Sequence, residues 1–265
     1  MSSIDWLRAV TALAAMGWRR ATLERVGLTG RLLLYGLVLL IFQAIWQAAP
    51  LAELAGSAYD TTRLLWYVAV TEWIVFATAY PYRDIEADAR HGRIAWLSAR
   101  PLPYAAAVAA EWAGATGFRL AVLGVFGFAA TLLLTGEVPI APTAAPGLIL
   151  SALIAMALAF ILQFGVGLVA VWMGTAAPIY WVAQKLFFVL GGLLLPLSIY
   201  PAGLGAVAEA SPFAAMLYWP ASLVFTEGEG LAAILARQLF WFAALTAGLA
   251  LLERAALRRI TREGA

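Results

Sequence analysis

The chain has 265 residues, of which 64% are hydrophobic and 12% charged, with a net charge of +2. A water-soluble domain needs about 25% charged residues, so most of this surface has to face lipid. With no cysteine, disulfides, thiol catalysis and cysteine metal sites are excluded. The basic residues flank apolar runs, which is how a membrane protein is oriented, and imply no nucleic-acid partner.

Residues 1–31 hold five arginines and no apolar run followed by a small-residue cleavage site, so no cleaved signal peptide is expected. Trp6, Val10, Leu13 and Met16 recur at helical spacing, with Arg8, Arg19, Arg20 and Arg25 on the wet side. This predicts an amphipathic helix over 2–28 in the cytoplasmic membrane surface; an ordinary charged tail is the alternative. Spans follow at about Leu32–Ala49, closed by Pro50, and Leu64–Tyr80, closed by Pro81. Residues 104–134 exceed one untilted span, and Glu111 and Arg119 interrupt their first half. They divide into an interfacial helix, Tyr104–Thr116, and a third span, Gly117–Leu134. The fourth span is about Leu148–Met173, the fifth Ile179–Tyr200 and the sixth Leu231–Leu252. Six such helices consume roughly 120 residues at about 20 each, leaving no separate soluble domain. The expected fold is one all-α integral membrane domain over 1–265.

Arginine fixes the direction. The N-terminal segment, the second loop (Arg83, Arg90, Arg93, Arg100) and the tail (Arg254, Arg258, Arg259, Arg262) hold thirteen of the seventeen basic residues. In a six-span chain these share one side, so both termini are expected in the cytoplasm of a multi-pass inner (plasma) membrane protein. Glu53, Asp60, Glu137, Glu209, Glu227 and Glu229 fall opposite.

A phosphate-cradling loop ends in Gly-Lys-Ser/Thr, and the only lysine, Lys185, lies inside the fifth span. The only histidine, His91, lies in a basic loop, away from the membrane depth where a Ser–His pair would work. No cluster has metal-ligand spacing. The chain is therefore expected to carry no cofactor and no catalysis of its own.

The segment 82–103 is the richest in chemistry. Asp84, Glu86 and Asp88 precede Arg90 and Arg93, Gly92 offers a helix stop, and Pro101 and Pro103 impose extended backbone. About twenty residues, with Ile85, Ile94, Trp96 and Leu97 expected as exposed apolar residues, exceed what a simple reversal needs. The excess points to a docking surface for a cytoplasmic partner, a solvated loop being the alternative. Inside spans, ionisable groups are costly and usually functional. Glu72 and Lys185 lie at depths that differ by about one helical turn, so they are expected to pair or to face a cavity, unless Lys185 snorkels. Gln43, Gln47 and Gln163 are candidates for substrate contact or for helix–helix hydrogen bonds.

Three stretches carry a resemblance. Gly92-Arg93-Ile94 with Leu97 and Arg100-Pro101-Leu102 follows the second span. Pro196-Leu197, Tyr200-Pro201, Ser211-Pro212-Phe213, Tyr218 and Pro220 follow the fifth. Gln238 and Trp241 open the last. In this order on a six-span frame they resemble the permease subunit of ABC transporters of the type-2 exporter class. The resemblance implies a second permease copy or a related permease, and a pair of separate ATPase subunits that hold ATP and Mg. It implies that Asp84, Ile85, Glu86, Asp88, Arg90, Gly92 and Arg93 form a coupling helix in a groove of the ATPase. It also implies that 201–230 is an external re-entrant segment in which Pro201, Pro212, Phe213 and Tyr218 help gate the outer exit. The residues themselves agree that 201–230 is too interrupted for a span and too apolar for a free loop; a non-gating interfacial loop fits them equally. An ion-coupled secondary transporter, which predicts midplane charges and an inverted repeat, and a non-transporting scaffold are the other readings.

Overall fold

A chain in lipid must satisfy its backbone internally, and helix is accordingly the only regular structure among the described residues. The structure, a computed structural model, describes residues 3–48, 59–98, 101–226 and 230–263. Pro50, Glu53, Arg100, Glu227 and Glu229 lie outside them. The protein is an all-α multi-pass membrane protein. Five helical stretches are long and apolar enough to cross a bilayer: Arg25–Ala48, Thr61–Arg90, Tyr104–Thr135, Pro142–Met173 and Leu231–Ile260. A sixth apolar helix, Ala177–Leu190, is shorter.

The chain opens with α1 (Ser3–Leu23) and α2 (Arg25–Ala48). Next comes α3 (Thr61–Ala77), whose first turn is capped by Asp60, with Oδ1 accepting from the Arg63 amide at 2.7 Å. Two short helices follow, α4 (Tyr82–Arg90) and α5 (Arg93–Ser98). Between them Gly92 takes the left-handed conformation, φ +66°, which glycine adopts without a Cβ penalty.

The next helix, α6, runs unbroken from Tyr104 to Thr135. This corrects the expected division at 116/117. At 1.5 Å per residue its 32 residues reach roughly 48 Å, well beyond a hydrocarbon core of about 30 Å. The two charges that suggested a break have partners on the N-terminal segment. Glu111 accepts from Arg20 at 3.2 Å, and Arg119 pairs with Glu24.

Glycine sets the packing of α1 on α6. A Cβ on Gly114 would land on the Ala14 carbonyl, and one on Gly17 would land on the Glu111 carbonyl, so the two backbones cross in direct contact. The face α1 turns to α6 is therefore its small-residue stripe, with Gly17 and Ala21 buried, while Trp6 and Met16 stay exposed. Farther along α6, Gly127 admits the Tyr35 ring, whose hydroxyl donates to the Ala69 carbonyl at 2.6 Å. Gly124 lies against Trp73, whose indole donates to the Leu120 carbonyl. Helices α2, α3 and α6 thus form one tight bundle.

The fourth crossing is α7 (Ala145–Leu168) continued by α8 (Ala170–Met173). The fifth differs from the sequence expectation, since α9 (Ala177–Leu190) ends ten residues short of Tyr200. Its 14 residues span roughly 21 Å. Short helices α10 (Ala202–Glu209), α11 (Pro212–Met216) and α12 (Tyr218–Ser222) fill the following segment. The last helix, α13 (Leu231–Glu263), runs eleven residues past Leu252. There Ala256 is buried in one apolar cluster with Ile85, Ile94 and Phe164, and α13 packs on α5 and α8 as well as on α7.

Candidate functional site

Two regions concentrate the polar chemistry, one at each end of the short helix α9. At its base lies α4. Ile85 and Ile94, expected to be exposed for docking, are instead buried in the protein's own apolar cluster with Phe164 and Ala256. Ile85 sits on Gly167 of α7, where a Cβ would collide with it, and Trp96 is the one that stays exposed. Glu86 accepts from the Ala176 amide at 3.1 Å and pairs with Arg90 at 3.4 Å. Arg90 Nε donates to the Gly174 carbonyl at 2.6 Å. The ring of Tyr82 stacks on Tyr180 of α9, centroids 4.1 Å apart. On the other side Asp88 accepts from the Tyr104 hydroxyl at 3.0 Å and pairs with Arg93 at 2.7 Å. Asp84 faces the N-terminal segment, within electrostatic reach of Arg20 and Glu111. The hydrogen bond to Glu111 holds the Arg20 guanidinium above its ordinary pKa. Residues 82–93 are therefore fastened to α6, α7 and the α8–α9 turn together. Two of these attachments, Glu86 to the Ala176 amide and Arg90 to the Gly174 carbonyl, join α4 to the turn before α9.

At the far end of α9 the backbone breaks at Gly191-Gly192, with Gly192 at φ +66°. Freed carbonyls at membrane depth must find donors, and α3 supplies them. The Tyr67 hydroxyl donates to the Gly192 carbonyl, and the Thr71 hydroxyl donates to the Leu193 carbonyl at 2.8 Å. The Tyr200 hydroxyl turns back to the Val189 carbonyl at 3.0 Å. Pro201 precedes the first turn of α10 and Pro212 opens α11, where Ser211 caps the Ala214 amide. Phe213 is half-buried, and its carbonyl accepts from the Leu217 amide. Tyr218 is buried with its ring against Tyr67 and Trp219.

Gln238 anchors this segment. It is fully buried; its Nε2 donates to the carbonyls of Ser151 and Ala215, both at 3.0 Å, and its Oε1 accepts from the Ser151 hydroxyl. One side chain thus joins α13, α7 and α11.

The other sequence candidates are scattered. Glu72 is 5% exposed and makes no ion pair or hydrogen bond among the described residues. Lys185 is exposed on the outer face of α9, beside Trp181, Val182 and Leu186. The structure does not bring these two together. Gln43 donates to the Leu134 carbonyl at 3.1 Å, a helix–helix bond between α2 and α6. Gln163 has its Oε1 buried without a partner among the described residues. Sequence reasoning missed Tyr67, Thr71 and Ser151. The Gly191-Gly192 doublet was the available signal for the first two, since a glycine pair inside a span marks a place where carbonyls need outside donors.

A family profile described as "ABC-2 family transporter protein" matches residues 32–264. No curated protein matches the chain.

Proposed function

We propose, from the premise that the chain belongs to the ABC-2 transporter family, that it is the permease subunit of an ATP-driven exporter. It contributes half of a translocation pathway, completed by a second copy or a related permease. ATP and Mg bind to a separate pair of ATPase subunits, and the chain itself hydrolyses nothing. Both termini, α4 and α5 face the cytoplasm across an inner (plasma) membrane, as the arginine distribution favours.

The observation that carries this reading is the attachment of α4 to the base of α9 through Glu86 and Arg90. Closure of the ATPase pair displaces α4 and α5 as a unit. The bonds to Ala176 and Gly174 pass that displacement to α9, and the break at Gly191-Gly192 lets α9 move without dragging the whole crossing. The segment 201–230, with Pro201, Pro212, Phe213 and Tyr218, then acts as the outer gate. Lys185 and Glu72 are proposed to meet the pathway separately, Lys185 from the exposed face of α9 and Glu72 from the α3 interior.

Purification from the native membrane tests the reading. A P-loop ATPase is expected to co-purify with the wild-type chain. It is expected to be lost from Trp96→Glu, which places a charge on an exposed apolar residue of α5 (64% exposed). A wild-type preparation that transports or assembles with no ATPase present would contradict it.

A further inference from the structure

Charge is scarce on the faces that the spans turn outward. Among the described residues away from the span ends, Glu72 and Arg119 are buried, and Glu111 pairs with Arg20. Arg237 lies near the outer end of α13, its guanidinium 3.9 Å from the centroid of the Trp219 ring. Lys185 differs from all of these. It is exposed, with no ion pair or hydrogen bond among the described residues. Its neighbours on that face of α9 are Trp181, Val182, Leu186 and Val189, each exposed and apolar.

Two features keep its ammonium at membrane depth. Ala176 is held to the charged helix α4 by Glu86, so the base of α9 marks the polar edge. Lys185 stands about 12 Å beyond Ala177 along α9, and a four-carbon stem directed back toward that edge recovers only about half of the distance. Trp181, one turn nearer α4, occupies the same track. An ammonium against hydrocarbon is costly, and such groups pair with an acid or line an aqueous cavity. No acid shares this face among the described residues. The exposed face of α9 therefore borders water rather than lipid, as a wall of the pathway does. Glu72 lies inside the bundle on α3, so the charge on this wall is positive only.

We propose that Lys185 makes the pathway selective for anions, so that the cargo carries a carboxylate, phosphate or sulfonate group. This rests on the permease reading and adds to it the sign of the cargo's charge. A fixed cation on low-dielectric walls concentrates anions and repels cations. A second identical copy brings a second ammonium to the same path and strengthens the bias.

The test uses the full complex in phosphatidylcholine nanodiscs and exploits the absence of cysteine from this chain. Val182→Cys and Val189→Cys, both beside Lys185, are separate reporters, so one suffices if the other does not fold. Each is reacted with anionic sulfonatoethyl methanethiosulfonate and with its cationic trimethylammonium counterpart, and the adduct on this chain is quantified by mass spectrometry. One unit charge at about 6 Å in water changes each rate about threefold. Adding Lys185→Gln is therefore expected to slow the anionic reagent and speed the cationic one, lowering their ratio about tenfold; Lys185→Arg is expected to keep it. The proposal is overturned if neither charged reagent reacts while neutral N-ethylmaleimide does, which would place this face in lipid, or if Lys185→Gln leaves the ratio unchanged. Co-purification of the ATPase is scored on the same preparation, so failure of the permease reading is distinguishable from failure of the charge selection.

Discussion

The third and fifth crossings solve the same problem in opposite ways. Helix α6 runs 32 residues without interruption, satisfies its own backbone, and uses glycines to let neighbours press directly against it. Helix α9 stops after 14 residues, and its continuation depends on side chains lent by α3 and α13. The first is a rigid post that its neighbours pack against. The second is a jointed segment whose shape is held by four side-chain hydrogen bonds, from Tyr67, Thr71, Tyr200 and Gln238. Both are tied to α4, α6 at Tyr104 and α9 through its preceding turn, so the difference lies in the response: α6 moves as one piece, whereas α9 is expected to bend at its Gly191-Gly192 break.

The comparison breaks most severely at the α1–α6 crossing. Gly114→Leu puts a side chain where the Ala14 carbonyl stands, so the backbones must separate. Overpacking of this kind costs about 3 kcal/mol or more. Thermal unfolding in detergent is expected to show a large fall in midpoint, with α1 opening to protease. A small change would mean the close crossing is absent. Next in size is Gln238→Leu, which removes the bonds to Ser151 and Ala215 and leaves buried polar groups unpaired at about 1–3 kcal/mol. Its distinguishing mark is increased hydrogen exchange in 211–222 with α6 unaffected. Thr71→Val is smaller, about 1–2 kcal/mol for one freed carbonyl, and exchange is expected to rise around Leu193. The least effect is expected from Arg20→Ala. That pair is mostly exposed, with Arg20 62% accessible, and surface pairs contribute about 0–1 kcal/mol. A midpoint shift as large as that of Gln238→Leu would show that α1 is held by charge rather than by backbone contact.

The same contrast explains what could be read from the sequence. Apolar run length located five of the crossings, because that signal is local. The continuity of α6 was hidden for a physical reason. Glu111 and Arg119 look like interruptions until Arg20 and Glu24 are brought beside them, and that pairing spans about ninety residues. The early end of α9 was written in Gly191-Gly192, but its meaning depends on Tyr67 and Thr71, two unremarkable members of a buried span. The expected partnership of Glu72 with Lys185 matched depth along the membrane and could not register direction around the helix. Lys185 points outward from α9, and Glu72 lies within the bundle. The charged segment 82–93 was recognisable by composition, whereas its attachments, Glu86 to Ala176 and Arg90 to Gly174, follow from the fold alone.

The central claim is that displacement of α4 reaches the outer segment through α9. The natural absence of cysteine allows one reporter to be placed cleanly at Val207, which is 63% exposed on α10. Maleimide labelling of Val207→Cys is measured in the complex with its ATPase, with and without ATP. The account predicts a nucleotide-dependent change in labelling rate that disappears when Glu86→Gln and Arg90→Ala are added, while the ATPase still co-purifies. A change that persists undiminished in the triple variant would contradict it.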